Sequence, residues 1–356
     1  MKVLHVTTSL NIGGVSRFLT DLLPFQSQNC DVTLLVLQSR RNDFTESLID
    51  KEVEVISLDV DNIYNPLITF KLARIFKNYD IIHVHLFPPL YWAGLASLVS
   101  KSKIVYTEHS TNNNRRTKPW LRFFEKFIYN KYAAIVSISC ETQVQLLNWL
   151  RLSKAESRKK CIVINNGVNP DVFHPEETED VLEPWLLMHA RFGYEKDQKT
   201  VIQAMRYLPD SVKLMFAGDG PTKQECQDLA YELGLEKRIF FLGNRDDIPK
   251  LINSSIIGVQ SSNFEGFGLS ALEIMSCGKP VVASDVLGLS QVVGGAGLLF
   301  PQGDYEALAR HLTSLLSLPE YYQEVASKCL ERAKEYSIQL TVEHYLNVYN
   351  KVLKNG

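Results

Sequence analysis

The chain has 356 residues, 45% of them hydrophobic and 22% charged, enough apolar material to bury large cores and a length at which chains usually divide into two domains. A net charge of -2 gives no general attraction to polyanions, so a nucleic-acid partner is not expected. The six cysteines (Cys30, Cys140, Cys161, Cys226, Cys277, Cys329) are scattered without a C-x-x-C or a histidine cluster at metal-ligand spacing, and read as reduced structural thiols of a cytosolic protein.

Short runs rich in Val, Ile and Leu alternate with longer amphipathic segments, the pattern of parallel strands joined by crossover helices, and the class is α/β. The N-terminus MKVLHVTT enters a strand at 3–6 directly, without the n- and h-regions of a secretory signal, so the protein is expected to be cytoplasmic. NIGGVSRFLTDL (11–22) follows, with Gly13 and Gly14 before a helix. A glycine pair after a first strand is by itself a turn signal, and the absence of G-x-G-x-x-G argues against a dinucleotide site.

Strands at 32–37 and 53–57 come next, and the second is followed by Asp59 and Asp61, a D-x-D read as turn chemistry rather than a metal site. The apolar stretch 81–99 is broken by His83, His85, Pro88 and Pro89, a poor membrane span and a good strand, loop and helix. A strand at 104–107 leads into YTEHS, with His109 just past its end. RRTKPWLRFFEKFIYNKY (115–132) then places Trp120, Phe123, Phe124 and Phe127 at helical spacing among Arg122, Lys126 and Lys131. Such a helix could rest on an anionic membrane at its inner face; the preferred reading is a core-facing helix whose polar side happens to be basic. Strands at 135–138 and 162–164 complete a first sheet, and the polar, proline-bearing stretch 168–184 reads as a linker.

The alternation restarts at 186–190 and runs into ARFGYEKDQKTVIQAM (190–205), where Arg191 and Lys196 form a positive pair at a strand end, with Lys199 an alternative to Lys196. Such a pair can neutralise charge growing on a leaving phosphate, while a solvated charged loop is the plain alternative. Strands at 213–217 and 239–242 end in FAGDGP, with Gly218, and FFLGNRDD, with Gly243 and Asn244. After a strand at 256–260 comes NFEGFGLSALEIMSCGKPVVAS (263–284), carrying Glu265, Gly266, Phe267, Gly268, Leu269 and Glu273 ahead of a strand at 281–284. A carboxylate at a strand end accepts from adjacent sugar hydroxyls, and a helix N-terminus with bare glycine amides favours phosphate. Capping is the alternative, since Ser270 and Glu273 have capping-box spacing. VLGLSQVV (286–293), a strand at 298–300 and an almost wholly helical end, with Asp304 and Ser337 as N-caps, finish the chain.

E-x7-E followed by a small-residue helix and G-x-P-V-V-A-S resembles the signature of family 4 retaining glycosyltransferases, and the likeness extends over nearly the whole chain. It implies a GT-B fold, two Rossmann-like doubly wound parallel-sheet domains facing across a cleft: 1–175 on the acceptor side, 176–336 binding nucleotide-sugar, and a helix at 337–356 that could cross back to the first domain. The donor is a nucleoside diphosphate sugar, a uridine one being expected. The acceptor is a glycan or lipid-linked hydroxyl, and no metal or other cofactor is required. Glu273 is expected to bind the ribose, Glu265 and His109 to approach the donor sugar, and Arg191 and Lys196 to stabilise the leaving diphosphate. The amides of Gly266, Phe267, Gly268 and Leu269 would hold sugar hydroxyls and phosphate. Gly13 and Gly14 would let backbone approach phosphates or acceptor, and Gly218, Gly243 and Asn244 would shape the base pocket. Many family members have a glutamate where this chain has Gln291, and a neutral amide cannot serve as a base. An epimerase on the same plan and a non-catalytic sugar-nucleotide-binding subunit are the competing readings.

Overall fold

The computed structural model describes residues 1–10, 13–38, 43–111, 114–176 and 184–355. Asn11 and Ile12 of the first glycine loop, and residues 177–183 of the stretch between the two sheets, lie outside them.

Thirteen strands are found among the described residues. β1 Lys2–Thr7, β2 Asp31–Val36, β3 Glu54–Ser57, β4 Ile81–His85, β5 Lys103–Glu108, β6 Ala134–Ser137 and β7 Cys161–Val163 form one sheet in the order β3-β2-β1-β4-β5-β6-β7. β8 Trp185–His189, β9 Lys213–Ala217, β10 Ile239–Gly243, β11 Ile257–Gln260, β12 Val281–Ser284 and β13 Leu298–Phe300 form another, ordered β10-β9-β8-β11-β12-β13. Every expected strand is present, and every named pairing is parallel. Boundaries move by a residue or so, because the last ladder bond and not the apolar run ends a strand.

Both sheets change winding direction once, between β1 and β4 and between β8 and β11. Loops after the strands on either side of such a point diverge to opposite faces and leave a crevice at the carboxyl edge. Central strands buried on both faces explain the unbroken Val/Ile/Leu runs: β4 and β12 have no exposed residue.

The chain divides into two compact units, Met1–Gly167 with Ile338–Gly356, and Val168–Ser337. The described part of the polar stretch, 168–176, is packed rather than strung out. Phe173 is fully buried, Ser276 donates to its carbonyl at 2.7 Å, and Asn253 Oδ1 accepts from the Glu176 N–H. The helix Ile338–Lys354 lies against Gly14–Ser27 and carries the buried Tyr345 and Tyr349. No described helix is long and apolar enough to cross a membrane. Asp59 and Asp61 follow the edge strand β3, where Ser57 Oγ donates to Asp59 Oδ1 at 2.5 Å in a tight turn. All six cysteines are free.

The helix Leu121–Tyr129 turns opposite to the preferred reading. Glu125, Ile128 and Tyr129 face inward, while Trp120 is 70% and Phe123 75% exposed, with Phe124 and Phe127 exposed beside them. Glu125 is drawn inside because three elements supply donors: Tyr91 Oη at 2.5 Å, Arg115 Nη1 at 2.8 Å and Trp149 Nε1 at 2.5 Å. A buried carboxylate so fully paired fixes the rotation of the helix, and the aromatic stripe is left outward. Arg115 and Arg116 are likewise consumed, the latter by the buried Glu108 at 3.3 Å.

Candidate active site

In the second unit the loops after β8 and β11 leave the two sides of the switch point and are joined by backbone. Asp197 N–H donates to Ser261 O at 3.0 Å and Asn263 N–H to Glu195 O at 2.9 Å. This stitching brings Lys196 onto Glu265: the ammonium and carboxylate form a direct ion pair, with Ser262 Oγ 3.4 Å from Lys196 Nζ. Glu265 also accepts from the Gly266 N–H at 3.1 Å. Lys199, the alternative to Lys196, is held elsewhere by Glu225 at 2.7 Å, on the outer side of its helix. Arg191 is exposed, and its guanidinium has no partner among the described residues, so its charge is free to meet an anion.

The neighbouring strand ends close the same region. Gly218 N–H donates to Gly243 O at 2.7 Å, and a Cβ on Gly218 would lie 2.1 Å from Ala190 O, at a φ of +145°. Only glycine fits there, because three chain segments converge on one backbone. Asn244 follows, exposed.

The helix Leu269–Ser276 is capped at Gly268, φ +98°, without any side-chain cap, so the capping box that Ser270 and Glu273 suggested does not form. Phe267 is buried against Tyr336, which anchors the loop and leaves the amides from Gly266 to Leu269 at the helix start. Gly288 lets the following helix approach this loop, since a Cβ there would sit 2.3 Å from Glu265 O. Gln291 lies on that helix, and its carbonyl accepts from Tyr336 Oη at 3.4 Å.

Glu273 has a partner that sequence reasoning missed. His189, the last residue of β8, donates from Nε2 to Glu273 Oε2 at 2.7 Å, both side chains nearly buried. His189 Nδ1 is buried without a hydrogen-bond partner among the described residues. Nothing local marks this histidine in the sequence, because the pairing joins residues 84 apart. Since the bond is charge-assisted, a His189/Glu273 double-mutant cycle in urea is expected to give a coupling of about 1.5–3 kcal/mol. A coupling near zero would mean that the carboxylate does not need this donor.

In the first unit, Gly13 and Gly14 begin the helix Gly14–Ser27, with Gly13 in extended backbone and open space around Gly14. Phe18, one turn on, packs edge-on against His109, centroids 5.7 Å apart. His109 Nε2 lies 3.0 Å from His85 Nδ1, and burial pushes the His109 pKa down to about 3. The structure therefore gathers Arg191, Lys196, Glu265, Gly218, Gly243 and Glu273 at one sheet edge, and His109 with the first glycine loop at the other sheet.

The sequence matches two family models, Glycosyltransferase Family 4 over residues 12–172 and Glycosyl transferases group 1 over 169–336. It is similar to the putative glycosyltransferase EpsD of Bacillus subtilis, 28% identical with 76% of each chain covered. A Campylobacter jejuni N,N'-diacetylbacillosaminyl-diphospho-undecaprenol alpha-1,3-N-acetylgalactosaminyltransferase is 24% identical, covering 88% of this chain and 90% of the relative. Among solved structures, Anabaena HepE in complex with UDP and glucose superposes with a TM-score of 0.86 at 22% identity over 99% of both chains, which supports the same fold. With its two parallel sheets and both family models matched, the chain is a family 4 glycosyltransferase of the GT-B fold.

Proposed function

We propose that this glycosyltransferase moves a sugar from a nucleoside diphosphate donor, with uridine as the expected base, to an acceptor hydroxyl with retention at the anomeric carbon. The observation that carries this reading is the pairing of Lys196 with Glu265 at the switch point of the second sheet, with the exposed, unpaired Arg191 just past the end of β8. Arg191 and Lys196 neutralise the charge that develops on the leaving diphosphate, Lys196 exchanging part of its contact with Glu265 for the phosphate. Glu265 and His109 position the sugar, Glu273 takes the ribose diol, and the amides of 266–269 hold phosphate and sugar oxygens. Gly13 and Gly14 let backbone approach the donor phosphates or the acceptor, and Gly218, Gly243 and Asn244 shape the pocket of the base. With cationic side chains in this role the reaction needs no metal. HepE's binding of UDP and glucose supports the donor class. The undecaprenol-linked acceptor in the Campylobacter relative's name supports a lipid-linked or glycan acceptor in surface polysaccharide or glycolipid synthesis.

A donor panel tests it: UDP release from one UDP-sugar, stimulated by a lipid-linked or oligosaccharide acceptor and insensitive to EDTA, with an α-linked product from an α-linked donor. Release only from other nucleotides, or an inverted product, rejects the corresponding part.

The protein works in the cytoplasm and meets its acceptor at the inner face of a membrane through 115–132. The stripe of Trp120, Phe123, Phe124 and Phe127 faces solvent with Lys118, Arg122, Lys126 and Lys131 around it, while Arg115 and Arg116 are occupied by buried carboxylates. Vesicles containing anionic lipid are expected to bind the chain, and W120A or F123A to weaken that binding roughly tenfold each, the value of one ring taken from water. Equal flotation of wild type and both variants rejects the contact.

A further inference from the structure

Three fully buried histidines of the first unit, His5, His83 and His85, have no part in the reaction described so far. Parallel register sets His5 opposite His83 and His85 opposite Thr107, so with the two-residue alternation all four side chains leave one face of the sheet. That face also receives Gln26 from the helix Gly14–Ser27 and Tyr345 and Tyr349 from Ile338–Lys354.

The histidine atoms come within 4.8 Å of one another, a spacing that invites a metal. Each ring nitrogen is instead engaged by protein. His5 Nε2 meets Gln26 Oε1 at 2.7 Å, His5 Nδ1 meets His85 Nε2 at 3.0 Å, and His85 Nδ1 meets His109 Nε2 at 3.0 Å. On a side branch His83 Nδ1 meets Tyr349 Oη at 2.5 Å and His83 Nε2 meets Thr107 Oγ1 at 2.7 Å. The arrangement is a hydrogen-bonded chain from Gln26 to His109.

Its direction can be worked out. Burial lowers the pKa of His5 to about 4, that of His109 to about 3, and those of His83 and His85 well below the usual value. Every ring is then neutral near pH 7, with one N–H and one lone pair. Burial also raises the Tyr349 phenol well above its ordinary pKa, so it keeps its proton. A phenol is a better donor than a neutral imidazole, and Tyr349 therefore donates to His83 Nδ1. Its oxygen accepts from Gln26 Nε2, 3.2 Å away, which turns the Gln26 carbonyl toward His5. His5 Nε2–H donates to that carbonyl, His85 Nε2–H to His5 Nδ1, and His109 Nε2–H to His85 Nδ1. The remaining atom, His109 Nδ1, has no partner among the described residues.

We propose that Gln26 and His5, acting through His85, are positioning residues that hold His109 as the Nε2–H tautomer, so that it meets its ligand through Nδ1 as the acceptor of a hydroxyl proton. The inference rests on the placing of His109 beside the donor sugar. In this form His109 selects a sugar hydroxyl over a phosphate or carbonyl oxygen, neither of which has a proton to give.

Two-bond proton–nitrogen correlation spectra of the full chain with 15N-labelled histidine read the tautomer without any substrate. Wild type is expected to show His109 protonated at Nε2 alone. Gln26→Met, which keeps the size but removes the amide, and His85→Leu are expected to leave His109 as a mixture of tautomers. Each is expected to lower donor kcat/KM about 3- to 10-fold, the effect of one neutral hydrogen bond. Gln26→Glu, which can only accept, keeps the Nε2–H form. A purely structural role predicts the reverse order, with methionine tolerated and the buried carboxylate disruptive, and thermal unfolding of each variant checks its folding. His109 protonated at Nδ1 in wild type, or unchanged in both Gln26→Met and His85→Leu, overturns the proposal. A tautomer that shifts while transfer does not would uphold the relay and remove His109 from the sugar site.

Discussion

The Arg191→Ala variant is expected to keep its fold and lose about 10²- to 10³-fold in kcat, the usual effect of deleting one preorganised group that meets developing charge. Arg191 is exposed, with no partner for its guanidinium among the described residues, so its removal orphans no buried group. Lys196→Ala should cost a comparable factor and in addition release Glu265, whose carboxylate would lose its cation. The two variants thus separate in donor KM: Arg191→Ala acts mainly on kcat, and Lys196→Ala on both. UDP release from wild type and Arg191→Ala under saturating donor makes the measurement. Undiminished turnover in Arg191→Ala sinks the leaving-group role, while Lys199→Ala, in its exposed pair with Glu225, is expected to change turnover little.

Acid should unfold the first unit sooner than its modest charge suggests. His5, His83 and His85 are wholly buried, and desolvation depresses all three pKa values, that of His5 to about 4. In the unfolded chain the same rings bind protons near their ordinary pKa of about 6.5. Below that pH the unfolded state takes up protons that the folded state refuses, so their stabilising contribution is complete above about pH 6.5 and is lost as pH falls toward 4. Each ring contributes a slope of about 1.4 kcal/mol per pH unit, and three give about 4, against a typical domain stability of about 5–15 kcal/mol. Glu108, whose carboxyl pKa burial raises, works in the opposite sense. Hydrogen exchange resolved to the strands of residues 1–167 is expected to show cooperative loss of protection between pH 6.5 and 4. Protection unchanged at pH 4.5 would contradict the burial of neutral histidines that also underlies the proposed relay.

The segment 115–132 shows where sequence reading ends. Helical spacing of Trp120, Phe123, Phe124 and Phe127 identified residues that share a face. It did not say whether that face meets core or water, because periodicity carries no sign. The sign came from Glu125, whose donors Tyr91, Arg115 and Trp149 lie outside the helix, two of them far away in the sequence. The same holds for Ser270 and Glu273: their spacing suits a capping box, yet Gly268 caps the helix and Glu273 turns to His189.

By itself the sequence determined the strands, the two sheets and the glycine-rich loops with Arg191, Lys196, Glu265 and Glu273, since apolar runs and turn residues are local properties. The family resemblance supplied their expected roles. Tertiary structure alone decided which of these charges meet. Lys196 rather than Lys199 reaches Glu265 because backbone bonds tie the loops after β8 and β11 across the switch point. His5, His85 and His109 become one hydrogen-bonded chain only when β1, β4 and β5 lie side by side in register. Such pairings depend on which strands are neighbours in the sheet, a long-range property that no window of sequence contains.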